Sequence, residues 1–128
     1  PGLASVLLGI LAQRLIRCLC PKCKVPEDRA EVLGQMAMDW IRPMQPTPYQ
    51  ASHGGCPFCN YTGYHGRHMV YELLDVNANV VKAIEDDRPP NTIAQAGIEP
   101  NGNLRANAMR LVARGLTSMD VVNQLVRP

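Results

Sequence analysis

Four cysteines stand in two short pairs, Cys20-Pro21-Lys22-Cys23 and Cys56-Pro57-Phe58-Cys59. A C-P-x-C turn can aim both thiolates at one point, and two such turns complete a four-thiolate shell. Thiolate ligands favour Zn²⁺, and a shell of four leaves no open coordination position. The pattern therefore predicts a structural zinc ion on Cys20, Cys23, Cys56 and Cys59, and no metal-activated water. The pairs are separated by 32 residues, 24–55. That is longer than a simple zinc ribbon needs, so a helix and a loop are expected between the two turns. Four negative sulfurs need support from backbone N–H donors, and Lys22 and Lys24 offset their charge.

Other readings of these residues stay open. His53, His65 and His68 lie near the second pair, where one of them could replace a cysteine, or each could be a polar surface residue. Two C-x-x-C units could also cycle as thiol and disulfide, which predicts thiols of lowered pKa and no metal. The fifth cysteine, Cys18, reads as a small buried hydrophobe rather than a ligand. An odd cysteine count and paired C-x-x-C units fit a reducing compartment better than a secreted disulfide framework. All six aromatics lie between Trp40 and Tyr71. They read as packing around the metal rather than as a base-stacking platform, because basic residues do not interleave with them.

The remaining sequence must position this site. At 128 residues, 46% hydrophobic and 19% charged, the chain has the composition of one globular domain or two small packed units. The net charge of +2 excludes little. Before Glu27, however, there is no acid, only Arg14, Arg17, Lys22 and Lys24. The most apolar run, residues 3–19, is interrupted by Gln13, Arg14 and Arg17, so it is too polar to span a membrane. The chain begins Pro1-Gly2 without an initiator Met, which reads as a fragment or processed piece.

The fold class expected is mainly α with a small β element, a helical piece around a tetracysteine knuckle. Residues 5–19 fit a helix with a wide apolar surface, stopped by Pro21. Pro26-Glu27-Asp28 opens a second helix, running to Trp40 or Ile41, with Val32, Leu33, Met36 and Trp40 as its stripe. Prolines 43, 46 and 48 mark an irregular connection. Residues 68–76 read as a strand that places Arg67, Met69, Tyr71 and Leu73 on one face and Glu72 on the other. Helices are then expected from Asn77 or Asn79 to Asp86, from Asn91 or Thr92 to Gly97, from Gly102 to Arg114, and after the Thr117-Ser118-Met119-Asp120 cap. The inner residues of the last are Val121, Val122, Leu125 and Val126. Three units follow from this reading: 1–19 as a terminal helix, 20–67 as the zinc-binding subdomain, and 68–128 as a strand with a helical subdomain. The chain has no G-x-x-x-x-G-K-[ST], no G-x-G-x-x-G after a strand and no H-E-x-x-H, so no catalytic residue is assigned and the chain alone is expected to be inactive.

Several segments in this order resemble one family. Residues Leu11-Ala12-Gln13-Arg14-Leu15-Ile16-Arg17 followed by Leu19-Cys20-Pro21-Lys22-Cys23, the run Cys56 to Arg67, Val70-Tyr71-Glu72-Leu73-Leu74, and Gly115-Leu116-Thr117-Ser118 resemble the late part of the type II secretion and type IV pilus assembly ATPases. The resemblance covers nearly the whole chain. It implies the C-terminal portion of a RecA-like P-loop ATPase, hexameric and cytoplasmic, working at the inner membrane. The family's tetracysteine zinc motif maps onto Cys20, Cys23, Cys56 and Cys59. ATP and Mg²⁺ would bind only in the parent protein, whose phosphate loop and catalytic acids have no counterpart here. The implied partners are the ATPase core, neighbouring subunits and an inner-membrane platform protein, with no nucleic acid. Cys18 and the stretches Pro89-Pro90 and Ile98-Glu99-Pro100-Asn101 depart from the pattern, leaving the branch of the family open. The alternative is a free-standing zinc module that binds nucleic acid, which predicts steeply salt-dependent binding.

Overall fold

In the computed structural model, residues 9–125 are described. Two long strands dominate. β1 (Gly9–Leu19) and β4 (Tyr64–Asp75) pair antiparallel from Gly9↔Asp75 to Leu19↔Tyr64, with an irregularity between Arg17 and Leu19. The helix expected over residues 5–19 is thus corrected to a strand over the part described; residues 5–8 lie outside it. The local pattern misleads because both faces of β1 are apolar. Ile10, Ala12 and Ile16 alternate with Leu11 and Leu15, so the run shows no period of two. Pairing with a partner some fifty residues downstream decides the conformation. The expected strand at 68–76 extends to the cysteine turn.

The segment between the strands folds back on itself. β2 (Val25–Pro26) pairs with β3 (Tyr49–Gln50), and between them lie α1 (Ala30–Met36) and a single 3₁₀ turn at Arg42–Met44. α1 is shorter than the sequence suggests at both ends. The Glu27 carboxylate takes the N–H groups of Asp28 and Arg29, holding that stretch as a turn. The chain leaves the helix after Ala37, where residues 38–41 close successive turns. Val32 and Met36 are buried as the stripe predicts, whereas Leu33 is exposed.

Four further helices follow. α2 (Ala78–Glu85) is capped by Asn77, whose side chain accepts from Val80 N–H. α3 (Pro90–Gly97) starts on Pro90 at its first position. α4 (Leu104–Ala113) is capped by Asn103 and receives the Glu72 carboxylate at its first N–H, 2.6 Å away. Gly115, at φ +75°, ends it by letting its own N–H and that of Leu116 return to Val112 and Leu111. α5 (Met119–Leu125) follows, with Ser118 Oγ accepting from Val121 N–H. Val121 and Val122 are buried as expected; the side chains of Leu125 and Val126 lie outside what is described.

The core forms where the sheet, the inserted segment and the last two helices meet. Ile16 and Val70 from the ladder, Val32, Met36 and Ile41 from the insert, and Ala108, Met109, Val112, Met119 and Val122 from α4 and α5 make one cluster. One sheet face therefore packs on the helices. The other carries Leu11, Leu15, Tyr71 and Leu73 into the open, each 49–58% exposed. Among the described residues no helix is long and apolar enough to cross a membrane.

Candidate metal centre

The end of the ladder at Leu19↔Tyr64 leads directly into both cysteine turns. Cys20 follows β1 without a spacer, and its N–H donates to Gly63 O at 3.0 Å. The second pair sits on a 3₁₀ turn, Pro57–Cys59, entered by extended backbone at Cys56. Cys59 N–H returns to Cys56 O, and Asn60 and Tyr61 both adopt positive φ to turn the chain back toward β4. Gly55, at φ +66°, lies against the backbone of Tyr61, a contact no side chain could share.

All four cysteines named from the sequence come together, their sulfurs within 4.8 Å of one another. Cys20 Sγ lies 3.7 Å from Cys56 Sγ, Cys23 Sγ 3.9 Å from Cys59 Sγ, and Cys56 Sγ 3.8 Å from Cys59 Sγ. A regular tetrahedron of sulfurs around an ion at the Zn–S distance of about 2.3 Å has edges of about 3.8 Å. A disulfide requires about 2.05 Å between sulfurs, and all five cysteines are free thiols. The separations thus fit ligands around one ion.

The surroundings fit the charge of such a shell. Cys59 Sγ accepts from Cys56 N–H at 3.3 Å and from Gly63 N–H at 3.2 Å. Burial raises its pKa, yet these two donors and the neighbouring thiols bring it down to about 6. Cys23 moves the other way. The Ser52 hydroxyl favours its thiolate, but burial and three adjacent thiols push it up to about 12. Four thiols this close cannot all ionise unless a cation shares the site. Ser52 Oγ is buried and has no other hydrogen-bond partner among the described residues, which leaves its donor for the Cys23 thiolate.

None of the three histidines joins the cluster among the described residues. All three are exposed, and His65 instead lies against the Phe58 ring, centroids 4.5 Å apart. Cys18 stays outside as well, half-buried on β1, with burial raising its thiol. The aromatics divide. Trp40 and Tyr64 pack against the core, while Phe58, Tyr61 and Tyr71 are exposed.

Sequence reading did not find how the cluster is joined to the helices. The links converge on the turn between α4 and α5. Leu19 N–H donates to Leu116 O at 2.9 Å, and Thr117 Oγ1 donates to Arg17 O at 2.7 Å. Lys24 Nζ donates to Gly115 O at 2.8 Å while lying over the Tyr49 ring. Tyr64 Oη and Ser118 Oγ share a hydrogen bond at 2.9 Å. Arg29 bridges the buried Glu27 to Asp120 on α5, at 2.8 and 2.9 Å. Its guanidinium holds both carboxyls below the usual acid range. A glycine at 115 and a hydroxyl pair at 117–118 are the only local signals of this joint.

A family model described as type II/IV secretion system protein matches residues 2–126. The chain is 34% identical over 128 residues to the type IV pilus assembly ATPase TfpB of Acinetobacter baylyi, covering 96% of this chain and 21% of that protein. It is 32% identical over 125 residues to the type II secretion system ATPase E of Vibrio cholerae, and 33% identical over 127 residues to the type II secretion system protein E of Pseudomonas aeruginosa. Both alignments cover 98% of this chain and 24% of the relative. The chain therefore spans between a fifth and a quarter of the length of the curated relatives it matches.

Proposed function

The chain belongs to the type II/IV secretion system protein family, and from that premise we propose that it is the C-terminal zinc-binding portion of a hexameric ATPase that powers type II secretion or type IV pilus assembly. Its own role is structural and coupling. Nucleotide binding and hydrolysis, with Mg²⁺, take place in upstream parts of the parent. The parent works at the cytoplasmic side of the inner membrane, against neighbouring subunits and a platform protein.

The observation that carries this reading is the four-sulfur cluster set directly on the joint between the ladder and the α4–α5 turn. Cys20, Cys23, Cys56 and Cys59 hold the ion, and zinc supplies only cross-linking there, because four thiolates fill its shell. The chain's own groups do the rest. Backbone N–H groups of Cys56 and Gly63 stabilise thiolate charge, and Lys24, Thr117, Tyr64 and Arg29 tie the knuckle to the last two helices. A displacement of β1 is thereby passed to α4 and α5 instead of being absorbed in the insert. Units 20–67 and 68–128 then move as one body on the ATPase core.

Cys20→Ser in the full-length parent tests this. The expected result is lost zinc by elemental analysis, lost cargo transport, and ATP hydrolysis reduced or uncoupled from transport. Zinc content, folding and transport all unchanged would overturn the proposal.

A further inference from the structure

The ladder has one covered face and one bare face. Ile16 and Val70 turn toward the helices, so residues an odd number of positions away along each strand turn the other way. That bare face carries Leu11, Leu15, Tyr71 and Leu73, each about half exposed, and ends at the exposed Arg17 and Arg67. The register sets these two arginines directly opposite each other. Like charges opposed across a ladder repel, and neither guanidinium has a carboxylate partner among the described residues. Arg17 lies over the Tyr64 ring, 4.2 Å from its centroid, a contact that uses the flat of the guanidinium and not its N–H groups. The acids of the insert are engaged elsewhere. The insert packs on the covered face through Val32, Met36 and Ile41. Its Glu27, Asp28 and Asp39 hold Arg29, Gln50 and Arg42, and Glu31 borders the hollow beside Arg29 and Asp120.

An occupant of this face must be apolar along most of its length and acidic at one end. Residues 1–8 and 126–128 contain no acid, so the chain's own ends do not supply the carboxylate. A second copy is excluded by size. The face runs over four register pairs, from Leu11↔Leu73 to Arg17↔Arg67. At two strands wide it measures about 10 by 26 Å, or about 260 Å² in outline. Stable association of separate molecules needs about 800 Å² on each partner. A segment of the same polypeptide escapes that requirement, because the chain holds it at high effective concentration. One helix is about 10 Å across, the width of two strands, and about 17 residues of it span 26 Å. The family has length to provide it, since this chain covers only 21% and 24% of two of its relatives.

We propose that a single amphipathic helix from the upstream part of the same polypeptide lies along the bare face, over Leu11, Leu15, Tyr71 and Leu73, with a carboxylate at its end clamped between Arg17 and Arg67. An arginine presents a planar fork that takes a carboxylate through two hydrogen bonds, and two opposed forks share one carboxylate. The clamp sets which end of the helix meets the knuckle. It also turns the repulsion between the two arginines into a shared attraction. The inference deepens the functional reading above and rests on it for the existence of an upstream part. It names the face by which the motor grips its coupling portion.

The test uses the full-length parent with a photoreactive diazirine analogue of leucine in place of Leu15, as a mixture of isotopically labelled and unlabelled chains. The expected cross-link stays within one chain and maps to one apolar helix upstream, with an Asp or Glu at its end nearest the knuckle. Arg67→Glu should lower the yield about tenfold, and Lys in place of the helix's acid should recover at least about threefold of it. Zinc content, measured in every variant, should stay constant, which separates a lost clamp from lost folding. Should Arg67→Glu lose zinc, the neutral Arg67→Gln is read in its place, with a loss of about threefold expected. The clamp is overturned by cross-links between labelled and unlabelled chains, by cross-links to a segment without an acid, by yields indifferent to the change at Arg67, or by no cross-link at all. A parent that binds zinc and couples ATP hydrolysis to transport, yet gives one of these results, overturns the clamp alone. Zinc content, folding and transport all unchanged by Cys20→Ser overturn the functional proposal alone.

Discussion

Replacing Arg29 by Met is expected to destabilise the chain by about 3 kcal/mol at neutral pH, and the structure sets that figure. Arg29 donates to both oxygens of Glu27, at 3.0 and 2.8 Å, and to both oxygens of Asp120, each at 2.9 Å. The two limbs differ in burial. The Asp120 side chain is 49% exposed, so that limb contributes only about 0.5 kcal/mol. The Glu27 side chain is fully buried, and losing its partner strands a carboxylate away from water. Such a loss costs about 3–5 kcal/mol where nothing else compensates. Glu27 keeps the N–H groups of Asp28 and Arg29, which lowers its share to about 2.5 kcal/mol. The assay is equilibrium urea unfolding of the zinc-loaded chain, as a cycle with Glu27→Gln. The double variant should be less costly than the sum of the singles by about 1.5 kcal/mol or more. The pH dependence has a definite sign. Arg29 depresses the folded-state pKa of Glu27, so the contribution is complete above the ordinary carboxylate range and is lost as pH falls through the folded value. The penalty of Arg29→Met should therefore be full at pH 7 and shrink below about pH 4. A penalty under about 0.5 kcal/mol at pH 7, or one that grows on acidification, would refute the argument.

Thiol counting with a chromogenic disulfide should find one reactive cysteine, Cys18, in the zinc-loaded chain and five after strong chelation; five in both states would mean that no ion is held. Gly55→Ala should weaken zinc binding at least tenfold in competition with a chelating dye, because its Cβ would overlap the Tyr61 backbone at positive φ. Gly115→Ala combines φ +75° with a Cβ 2.8 Å from the Tyr49 ring, and should lower unfolding free energy by about 2 kcal/mol with zinc still bound. Ile41→Ala, at a site with no exposure in the insert, should cost about 2–5 kcal/mol by urea unfolding.

The parts of the fold that could be read from sequence are those that local chemistry determines. The cysteine pairs are of this kind, since each turn spans four residues and only the distance between turns is long-range. Asn77 as a cap and Gly115 at a helix end are also local, and the helices they bound fall within a few residues of expectation; α3, expected from Asn91 or Thr92, begins on Pro90. β1 is not local. Ile, Leu and Arg tolerate either conformation, and only the ladder with β4 decides between them. α1 is shorter than its sequence pattern suggests for a related reason. Glu27, an ordinary first-turn acid in sequence, is diverted by Arg29, which Asp120 holds from ninety-one residues away. The joint at 115–118 is not legible as a joint because its partners Lys24, Tyr64 and Arg17 stand 54 to 100 residues away in the chain.

The cysteine cluster lies where an ordinary hairpin has its turn. β1 and β4 are adjacent antiparallel strands, yet 44 residues come between them, far too many for a turn to dictate which residues face each other. A slip of one position would turn one strand over, carrying Ile16 out of the core and Leu15 in, or Val70 out and Met69 in, a substitution that hydrophobicity alone resists only weakly. Cys20 continues directly from β1, and four residues separate Cys59 from β4, so an ion held on both would fix the alignment of the two strands from one end. Such an ion would act on fidelity of folding more than on its strength. Chains folded without zinc should include mispaired ladders that late addition of metal repairs slowly, because every hydrogen bond of the ladder must open before the strands can shift.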